Sequence, residues 1–245
     1  MPAMTLELSV IVPAYNEEAM IVDTLTSLQS YLSGRAESYE IIVVDDGSQD
    51  KTFALIQDWR SRNQADVRVL VNQQNMGKGF SIQRGVFESR GKFIVFTDAD
   101  QPYDLNAIEE FLKALQSGSD LAIGSRVLPG SEVKGVPTLR FAAGQIFSWM
   151  VQGILFSGLP DTQCGFKSFK SAAAREIFKR LTISGFGFDV ELLYVARKLK
   201  YEIKPIAVQM IHYRRDSRVR LFGDSFEMFA NLFTVRWNDW QGKYK

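Results

Sequence analysis

The sequence predicts an α/β fold: a mostly parallel central sheet flanked by helices. Three observations carry that reading. Short β-branched apolar runs alternate with segments of helical periodicity over about 120 residues, the pattern of βαβ units with right-handed crossovers. The strand-like runs are apolar at successive positions, as in strands buried on both faces. A length of 245 residues with 46% hydrophobic content suits one domain around a large core.

Taken in order, Leu8 to Val12 reads as the first strand, stopped at Pro13. Asn16 is placed to cap the next helix, in which Ile21, Leu25, Leu28 and Leu32 keep helical spacing. Ile41 to Val44 is a second buried strand, and Asp45 to Asp50 a polar turn before a helix with Phe53, Ile56 and Trp59. Val67 to Val71 and Phe93 to Thr97 are further strands, separated by a helix from about Phe80 to Ser89. Leu105 to Leu115 is helical and Leu121 to Ile123 a short strand.

The second half is organised differently. From Phe141 to Pro160 there is no charged residue, close to the length that spans a bilayer. Gln145, Ser148 and Gln152 recur on one helical face, however, and Ile146, Met150 and Ile154 on another. That argues for a helix that packs or lies in an interface. His212 to Arg220 then concentrates four arginines in nine residues. Behind it, Phe222, Phe226, Phe229, Phe233 and Trp237 repeat at helical spacing. C-terminal amphipathic helices facing a core, a second subunit or a membrane surface are expected there.

Composition excludes several function classes. A net charge of +1 argues against broad phosphate neutralisation, so no nucleic acid is expected as a partner. One cysteine, Cys164, permits no intrachain disulfide and fits a reducing compartment. Met1 to Leu8 lacks the basic and apolar segments of a secretory signal. Gly77-Lys78-Gly79 lacks the upstream glycine and the following Ser or Thr of a P-loop, and no glycine follows the first strand as a dinucleotide fingerprint requires.

In such a sheet, ligands bind beyond the carboxyl ends of the strands. Those ends carry Pro13-Ala14-Tyr15-Asn16-Glu17, Asp45-Asp46-Gly47-Ser48 and Asp98-Ala99-Asp100. Asp98 and Asp100, two apart at a strand end, can share one cleft, and paired carboxylates repel unless a cation sits between them. Their hard oxygen donors suit Mg2+ or Mn2+ shared with substrate phosphates.

These segments, with Asn75-Met76-Gly77-Lys78-Gly79 between them, resemble in order and spacing the inverting glycosyltransferases of family two, which have the GT-A fold. Gly124-Ser125-Arg126, Asp161-Thr162-Gln163-Cys164-Gly165-Phe166-Lys167 and Phe188-Asp189-Val190-Glu191 are similar to the polyprenyl-phosphate sugar synthases of that family. The glucose-transferring branch is nearest and the mannose-transferring branch next.

The resemblance implies one GT-A domain, with residues 1 to about 125 binding the nucleotide-sugar and about 126 to 245 forming the acceptor and membrane-interface half. It implies that Pro13, Tyr15, Glu17 and Asp45 line the nucleotide pocket, with Asp46 accepting a hydrogen bond from the base and Lys78 supporting that side. Asp98 and Asp100 would hold ribose and metal, and Arg126 and Arg140 would contact phosphates. Asp161, Gln163, Lys167, Glu191 and the pair Ser217-Arg218 would face the acceptor.

The implied reaction moves a hexose from a nucleotide-sugar, UDP-glucose first, to a polyprenyl or dolichyl phosphate at the cytoplasmic face of a membrane. The alternatives are a GDP-mannose donor, or a hydroxyl acceptor in polysaccharide synthesis. A phosphate oxygen, largely ionised near neutral pH, attacks without a general base. A hydroxyl acceptor needs a base, for which Asp161, Asp189 and Glu191 are candidates.

Overall fold

In the computed structural model, which describes residues 6–35, 38–63, 66–133, 135–211 and 223–245, the first half is a run of βα units. Strands β1 (Leu8–Ala14), β2 (Tyr39–Asp45), β3 (Val67–Val71) and β4 (Phe93–Phe96) alternate with helices α1 (Ile21–Ser33), α2 (Thr52–Asn63) and α3 (Lys78–Glu88). Then follow α4 (Ala107–Gln116), β5 (Leu121–Ser125), β6 (Glu132–Val133), α5 (Thr138–Ile154), β7 (Lys167–Lys170), α6 (Ser171–Phe178), α7 (Phe188–Lys198), β8 (Ile203–Ala207), β9 (Gln209–Met210) and α8 (Gly223–Trp240). The main sheet has the order β3-β2-β1-β4-β7-β5-β8, and β6 pairs with β9 beside it. Within the main sheet β7 runs antiparallel to both its neighbours and the other pairings are parallel.

Strand residues alternate faces, so an uninterrupted apolar run serves two cores. Val10 and Val12 pack with Leu25, Leu28, Ile56 and Phe111 of α1, α2 and α4. Ile11 packs on the other side with Ile82 and Val86 of α3, Ile177 of α6 and Leu192 of α7. The same second core takes Phe147 and Val151 of α5 and Leu232 and Val235 of α8. Each fully buried aliphatic side chain contributes about 1.5–3 kcal/mol relative to exposure.

Three local expectations need correction. β1 does not stop at Pro13 but runs through Ala14, with Pro13 opposite Val44 of β2. β4 pairs only with Leu8 to Ile11, so the proline stands past the end of that ladder, where a missing N–H is tolerated. Asn16 does not cap α1, whose cap position is Met20; with φ of 52° it forms a turn instead. Along α5 and its cap the buried residues are Phe147, Ser148, Val151 and Leu155, so of the two rows named from the sequence only Ser148 is buried, with Met150 and Ile154 partly so. Ile146 and Trp149 are left 53% and 69% exposed. Among the described residues no helix is long and apolar enough to cross a membrane. Ser217, Arg218, the arginine segment 212–220 and Phe222 lie outside the described residues, and at Arg140 and Phe226 the backbone alone is described.

Candidate active site

The carboxyl ends of β2, β1 and β4 lie side by side, and their loops are tied to one another. Asn16 N donates to Ser48 Oγ at 2.8 Å, and Gln49 N donates to Asn16 Oδ1 at 2.7 Å. Gly47, with φ of 72°, leaves no room for a side chain: a Cβ there would stand 2.6 Å from the backbone of Gln74. The loop from Asn72 to Gly77 is thereby held over the end of β2.

Asp45 and Asp46 divide two roles. Asp46 Oδ1 accepts from Asn72 Nδ2 at 2.6 Å and Met76 N at 2.9 Å, and Oδ2 accepts from Gly77 N at 2.9 Å. Asp46 is thus a loop anchor, with three of its acceptor positions taken by the loop. Asp45 is also buried, but its Oδ1 has no partner. Burial pushes its carboxyl up, against the hydrogen bonds of Ser48. Asp45, Tyr15, Phe53, Val71 and Asn72 line a cleft of about 470 Å3. Two aromatic rings among the polar side chains of Ser48, Gln49, Asn72 and Gln73 suit a planar polar ring.

Next to this cleft lies an acidic cluster. Lys78 Nζ stands 2.5 Å from Asp98 Oδ1. Burial pulls Lys78 down, but the charges of Asp98 and Asp189 outweigh it and raise it to about 12. Burial and the neighbouring charges of Asp98 and Glu17 push Asp100 up to about 6. The peptide between the two aspartates is pinned by Thr24 Oγ1, which donates to Ala99 O at 2.6 Å. Gly165 presses on Asp98 from the other side: a Cβ on it would stand 2.2 Å from Asp98 Oδ2. Only a bare glycine backbone fits that approach.

Across the cleft, the acceptor-side carboxylates are engaged in structure. Arg126 donates to Asp161 through Nε, Nη2 and backbone N, at 2.7, 2.9 and 3.0 Å. Gln163 N also donates to Asp161 Oδ1 at 3.0 Å. Asp161 is 3% exposed; burial works to raise its carboxyl, and Arg126 more than reverses this. Lys167 is fully buried, with Nζ donating to Cys164 O at 2.5 Å and Asp189 Oδ1 at 2.6 Å. Glu191 is fully buried as well, accepting from Thr182 N, Thr182 Oγ1, Ile183 N and Tyr244 OH. Lys167 and Glu191 therefore do not reach the cleft surface, and Asp161 reaches it only through Arg126. Gln163 stays half-buried at its edge.

Pro13, Tyr15, Asp45, Lys78, Asp98 and Asp100 do gather at one sheet edge, with Glu17 close enough to act on Asp100. Sequence reasoning missed Asn72, which bridges Asp46 and Ser81 Oγ, and Gly165. Asn72 sits at the end of a strand-like run, which was the available signal; Gly165 gave none beyond its place in the resemblance.

The model of glycosyl transferase family 2 matches residues 9–181. The dolichyl-phosphate beta-glucosyltransferase of Dictyostelium discoideum is 35% identical, over 100% of this chain and 78% of its own. Its namesakes in Homo sapiens and Saccharomyces cerevisiae are 36% and 33% identical, over 95% and 94% of this chain and 75% and 74% of theirs. In structure, the chain is similar to glucosyl-3-phosphoglycerate synthase from Mycobacterium tuberculosis in complex with Mn2+, uridine diphosphate and phosphoglyceric acid. The TM-score is 0.72 at 20% identity, covering 94% of this chain and 78% of that one. The same enzyme with Mg2+ and uridine diphosphate gives 0.70 at 21% identity, over 94% and 79%.

Proposed function

We propose that this chain, which belongs to glycosyl transferase family 2, transfers glucose from UDP-glucose to the phosphate of a polyprenyl or dolichyl lipid with inversion at the anomeric carbon. The family is one of hexosyltransferases on a GT-A scaffold, and the mostly parallel sheet described above is that scaffold. The observation that carries the reading is the pairing of two features. Relatives named for a beta-glucosyl dolichyl-phosphate product match over nearly the whole chain. The carboxylates that could serve a hydroxyl acceptor as base are meanwhile all committed: Asp161 to Arg126, Asp189 to Lys167 and Glu191 to the loop at Thr182. A phosphate acceptor needs no such base.

Asp45 is the carboxylate we assign to the base, in the cleft that Tyr15 and Phe53 also line. Asp98 and Asp100 fit a divalent cation: burial, together with the charges of Asp98 and Glu17, already raises Asp100. Among the described residues no cluster of three or more His, Cys, Asp or Glu forms a protein-only cage. Two carboxylates completed by substrate phosphates is the usual arrangement for Mg2+ and Mn2+. Such an ion, when bound, offsets the charge that builds on the departing diphosphate.

The chain's own residues do the rest. The acceptor phosphate oxygen forms the new bond to the anomeric carbon, and the bond to the UDP oxygen breaks with its electron pair leaving on the diphosphate. Lys78 and Arg126, with Arg140, are assigned to the phosphate oxygens, where preoriented cations favour the transition state. Asp161 fixes the plane of the Arg126 guanidinium through its two-pronged contact.

The acceptor is a lipid, so the enzyme must meet a bilayer. We assign that contact to α5 and α8, which are joined by Arg236 Nε donating to Ile154 O, and place the protein peripherally at the cytoplasmic face. Ile146 and Trp149 of the first helix and Phe233, Trp237 and Trp240 of the second are exposed. Tryptophan-rich amphipathic faces lie in membrane interfaces. The test is product analysis with UDP-glucose and GDP-mannose, each offered with a short polyprenyl phosphate and with a neutral polyprenol. A β-linked glucosyl phosphodiester from UDP-glucose is expected; a mannosyl product, or glucose on the polyprenol, overturns the reading.

A further inference from the structure

The segment Leu181 to Gly187 lies between α3 and α8 and is held from both sides. On the α3 side, Gly79 N and Phe80 N donate to Ser184 O at 2.7 and 3.2 Å. The contact leaves no space for side chains. A Cβ on Gly77 would stand 2.5 Å from Ser184 O, and one on Gly79 would stand 2.7 Å from Phe188 Cβ. The two glycines flanking Lys78 thus serve a backbone-to-backbone approach.

On the other side, Glu191 Oε2 accepts from Thr182 N at 2.9 Å and Ile183 N at 2.8 Å, and Oε1 accepts from Thr182 Oγ1 at 2.7 Å. Tyr244 OH, fully buried, donates to the same Oε1 at 2.6 Å. Asn238, in the last turn of α8, donates through Nδ2 to Thr182 Oγ1 at 2.9 Å. A Cβ on Gly187 would stand 2.4 Å from Asn231 Nδ2, so α8 touches this segment along its length. A continuous chain of contacts therefore runs from Tyr244 through Glu191 and Ser184 to the backbone that carries Lys78, whose Nζ meets Asp98.

We propose that Glu191 and Tyr244 are positioning residues for Lys78: they fix the segment at Thr182 to Ser184, which fixes the first turn of α3 and so the place of the ammonium beside Asp98. This rests on the reading that Lys78 borders the donor diphosphate. Glu191 has no surface in the cleft, so its influence on the donor passes through the segment it holds. A flexible lysine placed by a rigid backbone gives up less freedom when it engages phosphate. Displacing such a group by about 1 Å can cost on the order of 100-fold in rate.

The experiment compares wild type, Tyr244→Phe, Lys78→Met and the double variant. UDP affinity is measured by calorimetry in Mn2+, beside separate KM values for UDP-glucose and lipid phosphate. Loss of one hydrogen bond to the buried carboxylate is expected to weaken UDP binding and raise the donor KM about 3- to 10-fold, with the acceptor KM unmoved. In the Lys78→Met background the Tyr244 change should add nothing, because the group it positions is gone. Trp59→Leu, in the opposite core, controls for lost stability and should leave UDP affinity alone. Tyr244→Phe lowering Tm with UDP affinity unchanged overturns the proposal, as does full additivity with Lys78→Met. A wild type that binds UDP-glucose no better than glucose would remove the donor reading itself, and the two failures are distinct.

Discussion

In the wall built by β1, β2 and β4, acidic side chains stand at the strand ends with needs left unmet: Asp45 keeps an oxygen without a partner, and Asp100 is raised by burial and by the charges of Asp98 and Glu17. In the wall built by β5, β7 and α7, each acidic side chain already has its partner: Asp161 holds Arg126, Asp189 holds Lys167, and Glu191 holds Thr182 and Tyr244. The first wall carries more carboxylates than cations, with Lys78 on Asp98 as the ion pair found there, and so suits a cation and a nucleotide. The second presents the cation of a buried pair, Arg126, and keeps the carboxylate behind it. That polarity suits a donor whose metal enters on one side and an anionic acceptor on the other.

The contrast breaks most sharply at Asp98. Asp98→Asn keeps the volume and removes the charge, so transfer should fall on the order of 1,000-fold or more, the scale expected when a group that stabilises developing charge is lost. Circular dichroism should remain that of a folded protein, because asparagine keeps the shape and the raised Asp100 still faces Lys78. Turnover that persists in this variant, or in wild type with EDTA, ends the metal role.

Gly165→Ala comes next in size. It belongs to the second wall, yet its new methyl would stand 2.2 Å from Asp98 Oδ2 in the first. A displaced carboxylate should lower kcat/KM on the order of 100-fold and weaken Mn2+ binding, while Arg126 and Asp161 stay in place. Unchanged Mn2+ affinity in this variant would mean that the two walls are less tightly abutted than the geometry requires.

A smaller effect follows from Asp100. Its carboxyl, at about 6 in the folded protein against 3.8 ordinarily, takes up its proton on acidification before the unfolded chain does. With no cation bound, the charged form therefore weighs against folding increasingly from about pH 4 and in full above about pH 6, and a bound cation removes that penalty. The rise in Tm on adding Mg2+ and UDP should be full at pH 7.5 and shrink as pH falls through about 6. A rise that is flat across that range would place the cation away from Asp100.

The two walls also differ in how far the sequence discloses them. Strands β1, β2, β4 and β5 announce themselves because both faces are buried, which writes continuous apolar runs into the chain. Asp98 and Asp100 are legible for a related reason: a strand end is where a side chain of this fold meets ligand. Asp161 and Glu191 are the same residue types in loops and helices, and nothing in their spacing says whether they face outward or inward. That is decided by partners 35 and 53 residues away in the chain, Arg126 and Tyr244. Asp45 and Asp46 show the limit within the first wall. They are adjacent and chemically identical, and the fold of the Asn72 to Gly77 loop alone selects which one is left with an unmatched oxygen.

The outer surface of the second wall gives the smallest effect. α8 buries Leu232 and Val235 in the core while Phe233, Trp237 and Trp240 stand outside at 54%, 57% and 77% exposure. On α5, Trp149 is 69% exposed. A single surface aromatic needs no explanation, but two packed helices that both turn tryptophan outward do. Replacing Phe233 and Trp237 with serine should leave Tm and UDP affinity unchanged, since both side chains point away from the Asn231 and Asn238 row that touches Gly187 and Thr182. Sedimentation with anionic vesicles should drop severalfold, and the KM for a long-chain lipid phosphate should rise while that for a short, water-soluble one holds. Equal recovery of both proteins in the vesicle-free supernatant would assign these aromatics to a protein contact. A loss of UDP affinity would instead mean that the outer face of α8 already governs the donor wall.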